Sequence, residues 1–101
     1  LGVSCNCEAL ILAASRGETV EVEALLSGGA DPTAADYDQR TALHLACSEG
    51  HLSTAKLLIS AGASVYAQDR WGSRPADDAH RRGNQKLEAM LVAAGAPPAN
   101  K

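Results

Sequence analysis

The side chains of this 101-residue chain most able to do chemistry are three histidines, three cysteines and one pair of adjacent aspartates. A functional reading of His44 would make it a general base or a metal ligand. A general base needs a positioned proton donor within hydrogen-bond reach, and no Ser-His-Asp grouping has support beyond composition. Cys5-Asn-Cys7 invites a metal reading. A structural zinc needs about four ligands, at spacings that do not include this one. No second cysteine pair completes a set, and Cys47 sits in an apolar stripe. Asp77-Asp78 resembles a carboxylate pair for acid–base work, but neighbouring helical residues point apart by about 100°. Two acids in the first turn of a helix are better explained by its positive end. No glycine-rich phosphate loop follows a strand. The expectation is therefore no catalytic residue, no metal and no cofactor.

The elements that carry these residues recur at a fixed period. Gly17, Gly50 and Gly83 are 33 residues apart, and so are Gly29, Gly62 and Gly95, each followed by alanine. Leu25, Leu58 and Leu91 fall in the same register, as do Ala13, Ala46 and Ala79. Asp36 and Asp69 mark one point in consecutive units. A period of this length is the mark of a repeat architecture.

Each unit has one grammar, clearest in the second. Thr41 to Glu49 reads as a short helix with Thr41 as N-cap. Leu43, Ala46 and Cys47 form one apolar stripe, and Gly50 ends the helix in left-handed conformation. Leu52 to Ser60 reads as a second helix, closed by Gly62, and Ser64 to Arg70 runs extended toward the next unit. Such a pair cannot bury its apolar face alone, but stacked neighbours can. Leu10, Leu25, Leu43, Leu58, Ile59 and Leu91 are the expected core. The fold expected is all-α: a solenoid of three stacked helix-turn-helix repeats with short hairpin loops. One domain covers 1–101, with units at about 3–35, 36–68 and 69–97 and a tail at 98–101.

The second unit, Asp36-Tyr-Asp-Gln-Arg-Thr-Ala-Leu-His-Leu-Ala-Cys-Ser-Glu-Gly-His51 followed by Leu57-Leu-Ile-Ser-Ala-Gly-Ala63, resembles the ankyrin repeat. The resemblance covers about residues 8–96. Gln39 stands where that family places a turn glycine, so this hairpin tip must carry a side chain through a glycine turn. The third unit replaces the usual Thr-Pro-Leu-His by Arg74-Pro-Ala-Asp77 and is more polar, as a terminal cap should be. The first unit lacks the usual Asp and turn. Together with Asp69-Arg-Trp-Gly-Ser-Arg-Pro75 and Asp77-Asp-Ala79, the second unit is similar to the ankyrin segments of kidney-type glutaminases, plant ankyrin-repeat kinases and plant potassium channels. In all three the repeats accompany another functional domain.

The resemblance implies a protein-protein interaction module or scaffold that binds through its hairpin tips and the outer face of its first helices. The alternative is the regulatory tail of a larger enzyme or channel whose chemistry lies elsewhere. Matched by position, the partner-binding candidates are Tyr37, Asp38, Gln39, Arg40, Ser48, Glu49, Arg70, Trp71, Ser73, Arg81 and Arg82, with Arg16 and Gly72 beside them. Tyr, Trp and Arg are the types enriched among interface hot spots. Trp71 could instead pack on the neighbouring hairpin and stiffen the stack. The resemblance also makes His44 structural, bonding backbone groups between adjacent loops. It makes His51 structural too, and leaves His80 exposed.

Composition agrees with a binding module and excludes several other classes. The chain is 46% hydrophobic and 21% charged, with no Phe, one Trp and two Tyr. Small apolar residues suit closely stacked short helices better than a β-sandwich. The net charge is −3, divided as −6 over residues 1–50 and +3 over 51–101. That balance is wrong for a nucleic-acid protein. The asymmetry would permit head-to-tail self-association. Three irregularly spaced cysteines make no disulfide framework and point to an intracellular, reducing compartment. No apolar run is long enough for a transmembrane helix. The chain opens on Leu1 and lacks a signal peptide, so a fragment, a processed product or the ordered part of a longer chain is expected. The expected partner is another protein or a larger complex, with no nucleic acid and no membrane insertion.

Overall fold

The computed structural model describes residues 6–36 and 38–95, with side chains from residue 9 onward. Six helices follow one another: α1 (Asn6–Arg16), α2 (Thr19–Ser27), α3 (Ala42–Glu49), α4 (Leu52–Ser60), α5 (Pro75–Arg82) and α6 (Gln85–Ala93). No strand forms among the described residues; one isolated antiparallel bridge joins Ala35 and Thr41 at a hairpin base. Each unit pairs two antiparallel helices. The first helices stack in the order α1, α3, α5 and the second helices in the order α2, α4, α6. The molecule is correspondingly long, 41 × 26 × 20 Å.

Local sequence explains each helix. At α3, Thr41 is extended and its hydroxyl accepts the His44 N–H, while the Thr41 N–H donates to His44 Nδ1 at 3.1 Å. Two orphan backbone donors are thus satisfied reciprocally. At α5 the same position is taken by Asp77, whose carboxylate accepts the Arg74 N–H at 3.0 Å. Pro75, with no N–H to satisfy, opens that helix. Gly50 and Gly83 end α3 and α5 at φ of 83° and 79°, the left-handed stop expected of glycine there. The second helix of the middle unit matches its expected bounds.

The core lies between units. Leu10, Leu43, Leu58 and Leu91 are buried as expected. Leu25 and Ile59 are only half-buried and pack against the edge of the core. Val22, Leu87 and a row of small residues (Ala13, Ala14, Ala46, Ala55, Ala79) complete the interior. These alanines let the helices approach closely, as their abundance predicted. Thr54 is also fully buried; its hydroxyl lies 3.1 Å from that of Thr19 in the preceding unit.

Candidate protein-binding face

Two hairpin tips project beyond the first helices, and an aspartate organises each. Asp36 Oδ1 accepts the N–H groups of Asp38 (2.9 Å) and Arg40 (3.0 Å). Asp69 Oδ1 does the same for Trp71 and Ser73, both at 2.9 Å. The backbone closes each turn from Asp36 to Arg40 and from Asp69 to Ser73. At the turn position Gln39 has φ 62° and the equivalent Gly72 has φ 80°. Gln39 therefore occupies a conformation that suits glycine, at a cost of about 1–2 kcal/mol. The tips are joined: the Arg70 N–H donates to the Asp38 carbonyl at 2.9 Å, and the Arg70 guanidinium pairs with the Asp38 carboxylate at 3.1 Å.

On this frame Trp71 stands 66% exposed. Its one ring partner among the described residues is Arg70, whose guanidinium carbon lies 5.4 Å from the ring centroid, in cation–π range. Gln39, Glu49, Arg81 and Arg82 are exposed, as are Arg16 and Gly72, while Asp38, Ser48 and Ser73 are half-buried. Tyr37 lies outside the described residues.

Arg40 departs from the surface role expected of it. Its side chain is 22% exposed and turns inward. There it donates to Asp78 Oδ2 at 2.9 Å and lies 3.8 Å from Asp69 Oδ2. Asp78, 2% exposed, also pairs with Arg81. Burial pushes the Asp78 carboxyl above the usual carboxylate range, opposed by Arg40, His44 and Arg81. Asp78 is thus more than a first-turn acid: it ties the middle hairpin to the last unit. Sequence spacing could not reveal this, because the partners are 38 residues apart. The Arg40 Nε is buried without a hydrogen-bond partner, 3.8 Å from Asp69 Oδ2.

The histidines take structural places. His44 Nδ1 accepts the Thr41 N–H, so Nε2 carries the proton and donates to the Ser73 carbonyl at 2.9 Å. One imidazole thereby caps its own helix and fastens the next hairpin. His51 Nε2 donates to the Ser15 carbonyl at 3.1 Å, over Gly17. One unit later the equivalent carbonyl, Ser48, accepts from Arg82, which lies over Gly50. His80 is exposed and pairs with Glu88 at 3.3 Å.

Cys47 is buried, and burial drives its thiol far above the ordinary range, with the Asp78 charge adding to the effect; it is an inert core residue. Cys5 lies outside the described residues, as does the Cys7 side chain. Among the described residues no group of three or more His, Cys, Asp or Glu could hold a metal ion, and no helix is long and apolar enough to cross a membrane.

Comparison with known proteins agrees with this architecture. The family model for ankyrin repeats (3 copies) matches residues 1–69. Over 85 residues, 84% of this chain, the sequence is 48% identical to the potassium channel KOR1 of Oryza sativa subsp. japonica. Over 77 residues, 76% of the chain, it is 45% identical to the potassium channel GORK and 44% identical to the potassium channel SKOR, both of Arabidopsis thaliana. The matched segments cover 10%, 9% and 9% of those proteins, so the chain spans about a tenth of the length of the relatives it matches.

Proposed function

This chain belongs to the ankyrin-repeat family, and on that footing we propose that it binds a protein partner through its hairpin tips and the outer face of α3 and α5. The observation that carries this reading is Trp71. A tryptophan held 66% exposed, on a hairpin immobilised by Asp69 and by the Arg70–Asp38 link, is a rigid amphipathic anchor. Two thirds of its surface faces solvent, and exposing so large an apolar surface is costly unless something covers it. Arg70 lies against its ring, and the exposed Arg81 and Arg82 of α5 add donors suited to a polar rim. Arg40 is not among the contacts in this reading, because its guanidinium is engaged inside the stack.

The same family membership and the three potassium-channel relatives favour a second statement: this stack is the non-catalytic binding module of a potassium-channel-like protein, and any transport lies in other residues. The glutaminase-like and kinase-like settings have no corresponding relative among these matches.

The test is a pull-down with the immobilised chain, comparing wild type, Trp71→Ala and Val20→Ala. Val20 is 81% exposed on α2, away from the tips, and serves as control. Loss of a captured protein with Trp71→Ala, at unchanged helical circular dichroism and with Val20→Ala still binding, supports the face. Equal capture by all three rules it out.

A further inference from the structure

The third unit sorts its charges by depth. Its hairpin and α5 carry three acids, Asp69, Asp77 and Asp78, and four arginines, Arg70, Arg74, Arg81 and Arg82. None of the acids is exposed. The side chains of Asp69 and Asp78 keep 3% and 2% of their surface, and Asp77 is half-buried where it accepts the Arg74 N–H. The guanidiniums stand outside them. Arg70 and Arg81 are 57% and 61% exposed, and Arg82 is exposed as well.

Contacts within the fold leave this outer layer positive. Arg81 divides its donors between Ser73 Oγ, at 3.2 Å, and Asp78, a single carboxylate that it shares with Arg40. Arg82 Nη1 donates to the Ser48 carbonyl at 3.1 Å, a neutral acceptor. A guanidinium has more N–H donors than these contacts use. Trp71 adjoins the layer: its N–H and that of Ser73 share Asp69 Oδ1, and Arg70 lies over its ring. The other half of the chain has the opposite sign, with eight acids and two arginines in residues 1–50.

We infer that the partner segment docking here is an extended acidic peptide, with an apolar side chain over Trp71 and carboxylates on Arg81 and Arg82. The inference rests on the reading of the hairpin tips and outer helix face as the binding surface, and adds the chemistry of the occupant. Arginine pairs with carboxylates through its planar fork. The 8 residues of α5 span about 12 Å, which an extended segment covers in about four residues. Single-stranded nucleic acid also suits arginine beside an aromatic ring. The charge distribution favours the peptide: a long phosphate backbone would run on into the acidic first half, whereas a short acidic segment ends with the cations.

The experiment pans a display library of random peptides against the immobilised 101-residue chain. An enriched peptide is then made with a fluorescein label and its affinity measured by anisotropy. The expected peptides carry Asp or Glu roughly three to five residues from a Leu, Ile or aromatic residue. Arg82→Glu should weaken binding by about tenfold or more, and replacing the facing peptide acid by Lys should restore it. Lys56→Glu makes the same charge change on α4 and should alter affinity by less than about twofold. If Arg82→Glu loses helical circular dichroism, Arg82→Gln replaces it, with an expected loss of about threefold. Neutral or basic peptides that are lost with Trp71→Ala overturn the acidic partner and leave the docking face standing. Peptides indifferent to Trp71→Ala, or no enrichment at all, overturn the docking face and this inference with it. Equal weakening by Lys56→Glu and the Arg82 variant overturns the inference alone, since net charge would then explain the binding. Tighter binding of oligothymidylate than of any enriched peptide does the same.

Discussion

At the scale of single residues, Arg40 shows how one side chain changes meaning between sequence and structure. It lies on a binding-type hairpin, yet its charge is spent on Asp78 and Asp69. Breaking a buried ion pair by removing one partner costs about 3–5 kcal/mol; with Arg40 partly solvated, Arg40→Ala should cost about 2–3 kcal/mol by urea unfolding at pH 7. The penalty depends on pH with a definite sign. Asp78 already sits above the ordinary carboxylate range through burial, and loss of Arg40 raises it further. A carboxyl with a raised folded value holds its proton more tightly in the folded state, so stability falls as pH rises from about 3.9 through the folded value. Arg40→Ala should therefore be much less damaging near pH 4 than near pH 7. A penalty that is equal at both would mean that Arg40 acts through packing alone.

At the scale of elements, the left-handed glycines that stop the first helices are not equivalent. Gly17 and Gly83 have φ of 72° and 79°, so alanine carries a similar backbone cost of about 1–2 kcal/mol at either. A Cβ on Gly83 meets nothing within 4 Å, whereas one on Gly17 falls 2.6 Å from His51 Nδ1. Gly17→Ala must also displace the imidazole that donates to Ser15. It should shift the urea midpoint about twice as far as Gly83→Ala, and a smaller shift than Gly83→Ala would refute a role for the His51 contact. The alternation at this junction has a simple cause. In the middle unit His51 precedes α4 and reaches back to the preceding helix. In the last unit Asn84 caps α6 by accepting the Leu87 N–H at 3.1 Å, and Arg82 makes the backward link in its place.

At the scale of the whole molecule, stability is a sum over neighbouring units, and the middle unit contributes to two interfaces. Leu58 is fully buried there. Leu58→Ala should cost about 3 kcal/mol, a large part of the total for a domain of this size, and should leave the chain largely unfolded at 37 °C by circular dichroism. Retention of a wild-type melting curve would show that the units fold independently.

The repeat period, the helix pairs, the caps at Thr41 and Gly50 and the buried leucines were legible in the sequence. They follow from local rules: a hydroxyl that accepts an N–H three residues on, a glycine that tolerates positive φ, and an apolar stripe at helical spacing. The strain at Gln39 was legible for the same reason, since it lies at the position where the next repeat carries Gly72. Other features needed the tertiary structure. Leu25 and Ile59 have the spacing of core residues, but which faces meet is set by the stacking of units, and both end at its edge. Trp71 could pack or protrude with equal local sense, and the Asp69-centred hairpin turned it outward. Arg40 and Asp78 are far apart in sequence, and only superposition of one unit on the next brought their charges together in a place where water is excluded.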